Sequence, residues 1–470
     1  MTKEKTELKP KSLAKGSIIY GIGNIGTLVI NFFLVPLYTF YLTNEELGYF
    51  DLVASSLILF APIFFGHVEL AVIRWTLSSK DKENLTKVVT NSLIIFIAGL
   101  LIFSIVYFSI DFFVTLKLAP YVFLYFISNF FYIIAKQIVR SVYSSSHYVF
   151  TELTYILIVL FCTIFLVQNH GLKAIFIAYG FASLAFLVYL LFLKINKYIS
   201  FAFLNFNTCK ELLTYSFPLV LNAISLWLNN QSSKYLIATF LTLSANGIYA
   251  IAFKIAYVIQ IFNRIFYYSF QDKLYAVFGK EGFQEYFANT IKTYSVILFS
   301  LWYMMIGVQQ LALPLVIDAK FLSAMNYIPI LGLGIVFMSL SSVLGIIYQC
   351  VKKNINAFKT SLLSGLIIVL LGFLVIPKYD LLGASIVFTL GNFMWLLYRF
   401  IDIQQFVKVK IPYQRFIFYI VIGLLIWSIS IFGTLLSFIS SFVVALIISL
   451  LLNKDIFLKY SSIIYLKFKR

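Results

Sequence analysis

Side chains able to do chemistry are few in this sequence, and they sit inside long apolar stretches, where a polar or charged group is costly and usually faces a protein interior or a water-filled cavity. Four cations stand out: Arg74, Arg140, Lys234 and Lys254. In a low dielectric, arginine offers a planar fork of donors and lysine a point charge, and both hold phosphate oxygens. Lys254 stands about two turns inside its apolar run, too deep for easy snorkelling, and reads as a cavity-facing charge. Arg74 lies near a cytoplasmic end, where contact with headgroups and contact with a bound phosphate are both open readings. Lys136, Gln137 and Arg140 gather with Asn129 near another cytoplasmic end. Three polar stripes follow helical spacing. They are Tyr20, Asn24, Thr27 and Asn31 beside Gly23; Trp227, Asn230, Gln231 and Lys234; and Gln260, Asn263, Arg264, Tyr267 and Gln271. Amides, hydroxyls and rings suit a sugar, and the same groups suit hydrogen bonding between helices. Glu69, beside His67, is the one obvious acid. It is a candidate to bind a proton or sodium ion, or simply to pair with a neighbour. With cations outnumbering acids, the implied ligand is an anion.

Enzymatic signatures are missing from the sequence. There is no Walker A motif, no His-Glu-x-x-His and no Gly-x-Ser-x-Gly, and His67, His147 and His170 are too dispersed for a metal cluster. Cys162, Cys209 and Cys350 are widely spaced and suggest neither a disulfide framework nor a metal site. The expectation is a non-enzyme without metal or cofactor.

The elements that must position these groups are membrane spans. The chain has 470 residues, 61% of them hydrophobic and 11% charged, with a mean hydropathy of +0.95. Soluble domains run near 45–50% apolar and about 25% charged. Apolar runs of about 20 residues, each long enough to cross the hydrocarbon as a helix, recur throughout. About fourteen are expected, at 13–38, 49–73, 88–110, 118–139, 150–168, 172–194, 213–240, 246–270, 290–312, 325–350, 357–377, 382–402, 413–432 and 435–453. Counted with both termini inside, basic residues favour the inner loops roughly seven to one, the outer loops holding Lys117, Lys173, Lys320 and Lys378. This positive-inside bias places both termini in the cytoplasm and accounts for the net charge of +18 without nucleic acid.

The chain also repeats itself. At an offset of about 199, Tyr41-Leu42-Thr43 followed by Gly48 matches Phe240-Leu241-Thr242 followed by Gly247; Ser17 falls on Ser216 and Asn31 on Asn230. Leu172-Lys173-Ala174 through Tyr189 matches Leu382-Gly383-Ala384 through Tyr398. Two six-span halves of the same orientation follow, with two spans appended. Transporters with a substrate site between two lobes are built this way.

Three segments carry a family resemblance: Val35-Pro36-Leu37-Tyr38-Thr39-Phe40-Tyr41-Leu42-Thr43, Tyr215-Ser216-Phe217-Pro218-Leu219-Val220-Leu221-Asn222, and Leu243 through Lys254. The sequence resembles the polysaccharide biosynthesis, or Wzx-type oligosaccharide, flippases of the multidrug/oligosaccharidyl-lipid/polysaccharide (MOP) exporter superfamily over nearly its whole length. The resemblance implies an all-α integral membrane fold, two pseudo-symmetric six-helix lobes around a central cavity plus two C-terminal helices. Its expected organisation is a cytoplasmic tail at 1–12, an N-lobe at 13–194, a linker at 195–212, a C-lobe at 213–402, the two appended helices at 413–453 and a basic tail at 454–470.

The resemblance also implies alternating access, by which a polyprenyl-diphosphate-linked oligosaccharide of the O-antigen, capsule or teichoic type crosses a bacterial cytoplasmic membrane while its lipid tail stays in the bilayer. An undecaprenyl diphosphate carrier, a coupling ion (H+, Na+ or Cl−) and partner glycan polymerase and glycosyltransferases are expected with it. Arg74, Arg140, Lys234 and Lys254 match its cationic pattern. The segment Gly66-His67-Val68-Glu69 departs from the family, so ion coupling through His67 and Glu69 stands on burial alone. The rival readings are a drug/cation antiporter of the same superfamily, which should show intramembrane acids, and a non-transporting scaffold. Single-cysteine labelling checks the orientation: probes at Lys173 or Lys320 should react with a membrane-impermeant reagent from outside, and probes at Lys197 or Lys280 only after permeabilisation.

Overall fold

In the computed structural model the described residues are 10–78, 81–143, 145–409 and 413–454. Their apolar runs form α1 (Pro10–Tyr41), α2 (Asn44–Phe65), α3 (Val68–Ser78), α4 (Lys82–Val114), α5 (Ala119–Val142), α6 (Ser145–His170) and α7 (Leu172–Phe192). Two short 3-10 turns, Ile195–Tyr198 and Phe201–Phe203, lead into α8 (Phe206–Phe240), α9 (Leu243–Ala256), α10 (Ile259–Val277) and α11 (Phe283–Val316). A 3-10 segment, Ala319–Asn326, precedes α12 (Ile328–Leu344), α13 (Ile346–Cys350), α14 (Asn354–Ile403), α15 (Tyr413–Ser430) and α16 (Leu435–Leu452). Helices dominate because hydrocarbon offers no partner for a backbone N–H or C=O, and a helix satisfies both internally.

Ten described helices are long and apolar enough to cross a membrane, and the pair α9–α10, bent by 43°, makes eleven. The difference from the expected fourteen has identifiable sources. α14 counts once although Asp380 (φ 49°, ψ −137°) breaks it between the expected runs 357–377 and 382–402. α1 and α15 do not enter this count, because their described side chains run unbroken only over Val29–Tyr41 and Gln414–Ser430. The expected run 49–73 is also interrupted. Gly66 (φ 60°) and His67 (φ 57°) adopt left-handed backbone and end α2 before α3 begins. His67 and Arg74, seven residues apart, therefore do not share the face of one continuous helix.

The chain forms two compact units, residues 1–42 with 50–224, and residues 43–49 with 225–470. Phenylalanines fill the first. Phe65 stacks on Phe96 at 4.9 Å, and Phe103 meets Phe130 edge-on at 4.9 Å. α1 lies close on α6, since a Cβ at Gly23 would come within 2.7 Å of Val149 and one at Gly26 within 2.7 Å of Leu153. The expected linker is tied down here: the Ser200 N–H donates to Thr90 Oγ1, and Asn91 Oδ1 accepts from the Asn205 N–H at 2.9 Å.

In the second unit, α15 and α16 pack on α11. The Tyr303 hydroxyl donates to the Tyr419 carbonyl, and a Cβ at Gly307 would lie 3.1 Å from Ala445. Trp302, 1% exposed, donates its indole N–H to the Pro329 carbonyl. By contrast Phe112, Phe113 and Leu315 stand 82–83% exposed, as lipid-facing side chains do.

The two threonine-led motifs of the internal repeat meet within this unit. Thr43 and Glu46 cap the start of α2 reciprocally, and Thr242 Oγ1 accepts from the Ala245 N–H at the start of α9. The two helix starts cross glycine to glycine. A Cβ on Gly48 would lie 1.8 Å from the Leu243 carbonyl oxygen, and one on Gly247 would lie 2.0 Å from that of Asn44. Asn246 Nδ2 donates to the Gly48 carbonyl at 2.9 Å.

A buried arginine draws other helices together. Arg399, 6% exposed, donates from Nε to Thr360 Oγ1, from Nη1 to the Ser341 carbonyl and from Nη2 to the Ala357 carbonyl, with the Trp395 ring 4.5 Å away. It thereby joins α12 to both halves of α14.

Two substitutions test these contacts. Gly48→Ala collides with rigid backbone and is expected to destabilise by about 3 kcal/mol or more. Arg399→Lys keeps the charge but cannot reach three acceptors in one plane, with an expected cost of about 2 kcal/mol. Thermal unfolding of the purified variants in detergent measures both.

Candidate functional site

Two groups of charged residues inside long apolar helices stand out among the described residues, one in each unit. In the second unit, α8 carries Lys234 and α9 carries Lys254. Lys234 is 6% exposed, with its ammonium 5.3 Å from the centre of the Phe253 ring. Phe253 belongs to a stack with Tyr249 and Tyr257 and meets Phe388 edge-on. Its chain neighbour Lys254 is half-buried. Because α9 starts at Leu243, Lys254 sits about three turns along it, roughly 16 Å at 1.5 Å per residue, deeper than the two turns expected. It occupies the last turn of α9, just before the 43° bend into α10. Carbonyls at a helix C-terminus carry partial negative charge and attract a cation there.

The amides around these lysines divide. Asn229, not among the expected site residues, donates to Ser364 Oγ at 2.5 Å, and Ser225 bonds Ser361 at 2.8 Å, zipping α8 to α14. Asn230 returns its amide to the Leu226 carbonyl of its own helix. It remains half-buried, as does Gln231. On α10, Gln260 donates to Ser339 and accepts from Asn263, while Asn263 accepts from the Tyr294 hydroxyl. Both amides are therefore held between helices, and of that stripe Arg264 is the exposed member.

In the first unit, α5 presents Tyr132, Lys136 and Arg140 at four-residue spacing, and α6 brings Tyr148, Glu152 and Tyr155 against them. Lys136 Nζ lies 3.3 Å from Glu152 Oε1, with the two side chains 17% and 14% exposed. The same ammonium stands 5.0 Å from the Tyr132 ring centre and 5.4 Å from that of Tyr148, and the Arg140 guanidinium lies 5.5 Å from the Tyr148 ring. Tyr132 stacks on Tyr155 at 3.8 Å. Glu152 Oε2 is buried and accepts no hydrogen bond.

The remaining expected residues are dispersed. His67 Nδ1 meets Glu69 Oε1 in a close contact at the α2–α3 break, and Arg74 is exposed on α3. Thr27 and Asn31 of the α1 stripe hydrogen-bond back to carbonyls four residues earlier. The side chains of Tyr20 and Asn24 lie outside the described residues.

Glu69 is not the sole intramembrane acid. Glu152 is paired inside α6, and Asp51 on α2 is only 4% exposed. Each stands two positions inside its apolar run, where it reads as interfacial. What reveals Glu152 is the face shared by Lys136 and Arg140, which calls for a counter-charge on the neighbouring helix.

The family model described as polysaccharide biosynthesis protein matches residues 13–269. Comparison with curated proteins finds no match. Among solved structures, the chain resembles the lipid II flippase MurJ in an inward closed conformation, with a TM-score of 0.71 at 14% identity, over 97% of this chain and 100% of the other. It also resembles an inward-facing multidrug resistance MATE family transporter, with a TM-score of 0.62 at 14% identity, over 82% and 93% of the two chains. A MOP superfamily transporter from Pyrococcus furiosus, described as having a binding pocket of reverse polarity, aligns with a TM-score of 0.52 at 16% identity, over 83% and 95%. The family match spans more than half of the sequence and the fold extends over nearly all of it: the chain is a multi-pass membrane protein that belongs to the polysaccharide biosynthesis protein family and has the fold of MOP superfamily transporters.

Proposed function

We propose that this protein moves a polyprenyl-diphosphate-linked oligosaccharide from the cytoplasmic to the outer leaflet of a bacterial cytoplasmic membrane by alternating access, driven by an ion gradient or the membrane potential. Both termini lie in the cytoplasm. The observation that carries the reading is the pair Lys234, against the Phe253 ring, and Lys254, in the last turn of α9, two cations inside the helices of the second unit. A diphosphate is the anionic part of such a substrate, and ammonium groups in a low dielectric bind it strongly. Arg74 and Arg140 are proposed to act at the cytoplasmic side, where the substrate first arrives, and Asn230, Gln231 and Arg264 to meet the glycan. The polyprenyl tail stays in lipid, which removes the need for a wholly enclosed site.

A second reading, export of a cationic drug, draws support from the buried acids Asp51 and Glu152 and from the likeness to MATE transporters. Liposomes carrying a fluorescent polyprenyl-diphosphate oligosaccharide separate the two. Wild type should make the glycan accessible to an outside reagent, and Lys254→Ala should slow this by about 100-fold while keeping the wild-type melting temperature. Export of a cationic dye without glycan movement, under any imposed gradient or voltage, would overturn the flippase reading.

A further inference from the structure

We propose that the groove between α5 and α7 in the first unit, together with Lys194 and Lys197 just beyond α7, is a binding site for an anionic phospholipid. An acyl chain lies in the groove and the phosphate headgroup meets the two lysines.

The groove holds about 330 Å³ and is walled by Leu124, Ile127 and Phe131 of α5 and by Phe181, Leu184 and Leu187 of α7. Gly180 lines it too and lets the helices approach, since a Cβ there would come within 3.1 Å of Leu124. Ser183, another lining residue, spends its hydroxyl on the Ser128 carbonyl at 2.9 Å and on the Tyr155 hydroxyl at 3.3 Å. The lining is chiefly apolar, which suits a hydrocarbon chain and penalises a sugar or a phosphate. From Gly180 to the end of α7 at Phe192 the helix rises about 18 Å, a little more than half of a hydrocarbon core of about 30 Å. Leu184, Leu187 and Leu191, at spacings of three and four, carry the apolar line from the groove to that end. A single lipid chain of one leaflet covers that distance.

The line ends at two cations. Lys194 and Lys197 are exposed, and neither makes an ion pair among the described residues. No aspartate or glutamate occurs between residues 153 and 210 of the sequence. The segment that carries the lysines is held in place. Lys194 turns the chain with a φ of 55°, Ile195 is buried, the Leu193 carbonyl accepts from the Tyr143 hydroxyl, and Asn91 Nδ2 donates to the Phe203 carbonyl at 2.9 Å. Phe192 and Phe201, 79% and 76% exposed, flank the lysines. Cations beside exposed apolar side chains call for an anion that brings its own hydrocarbon. A free phosphate would meet the lysines alone, and a zwitterionic lipid carries a compensating cation, whereas an anionic phospholipid matches groove, phenylalanines and charge together. In the orientation proposed above, that lipid belongs to the cytoplasmic leaflet.

The test is native mass spectrometry of the full-length protein from detergent micelles doped with equal amounts of phosphatidylglycerol and phosphatidylcholine of the same chain length. Wild type should retain phosphatidylglycerol over phosphatidylcholine by about tenfold, within what two lysines beside an anionic headgroup supply. Lys194→Gln with Lys197→Gln, both at exposed positions, should lose that preference. Leu184→Trp, which fills the groove, should lower retention of both lipids several-fold and leave the preference. Equal retention of the two lipids by folded wild type overturns the proposal, and so does an undiminished preference in the double lysine variant or wild-type retention by the groove variant. A stronger hold on a polyprenyl phosphate than on phosphatidylglycerol would give the groove to a different lipid and overturn it as well. The readout is binding alone, so the result is independent of whether the protein moves a glycan.

Discussion

Hydrocarbon supplies no hydrogen bonds, so each polar group that this chain carries into the membrane must be met by another part of the chain or be kept for a ligand. The architecture follows from that constraint. Regular helices satisfy the backbone, and where a helix stops inside an apolar run, as at Gly66-His67 or at Asp380, the residues adopt left-handed conformations that turn the chain sharply. Side chains obey the same rule. Asn229 with Ser364, Asn263 with Gln260 and Tyr294, and Arg399 with three neutral oxygens each consume polar capacity in joining helices. In lipid, where apolar side chains gain little by leaving their surroundings, such bonds and close approaches at small residues specify which helices pack.

Apolar helices were legible because apolar length is a direct physical requirement, and the runs read from the sequence fall mostly on helix, with breaks such as that in 49–73. Breaks were less legible. Nothing in the apolar pattern separates Phe65 from Val68, and the short interruption at Gly66-His67 is a matter of backbone angles rather than hydropathy. The polar stripes were visible as helical spacing, but spacing alone does not say what a face meets. Gln260 and Asn263 face α12 and α11, whereas Arg264 is exposed, although all three lie within five residues of one helix. The same ambiguity hid Glu152, whose meaning depends on Lys136 sixteen residues away on the preceding helix.

The internal repeat has a physical expression beyond shared sequence. Its two best-matched motifs share a threonine at a helix start and a glycine five residues later, and in the structure these starts lie against each other. The two segments that meet are thus a stretch of the sequence and the stretch that matches it. Only glycine at both positions allows the backbones to come so near, because either Cβ would overlap a carbonyl of the other helix. The equivalence is approximate. Asn246 donates to the Gly48 carbonyl, while the corresponding residue in the first copy, Leu47, has no donor to return. The two matched segments therefore differ at the crossing itself, while both keep the glycine it requires.

Among the described residues, the cations carried into the helices meet different surroundings. Arg399 has oxygens at three faces of its guanidinium and an indole against its plane, an arrangement that would resist exchange for a mobile ligand. Lys136 and Lys234 lie against aromatic faces, and Lys254 sits at a helix terminus beside a bend. An aromatic face or a helix end stabilises positive charge by a diffuse attraction, weaker and less directional than a set of oxygen acceptors. The proposed flippase reading asks for that intermediate strength. A cation saturated by the protein could not bind a substrate, and one left bare in hydrocarbon would lose its proton or hold an anion too tightly to release it.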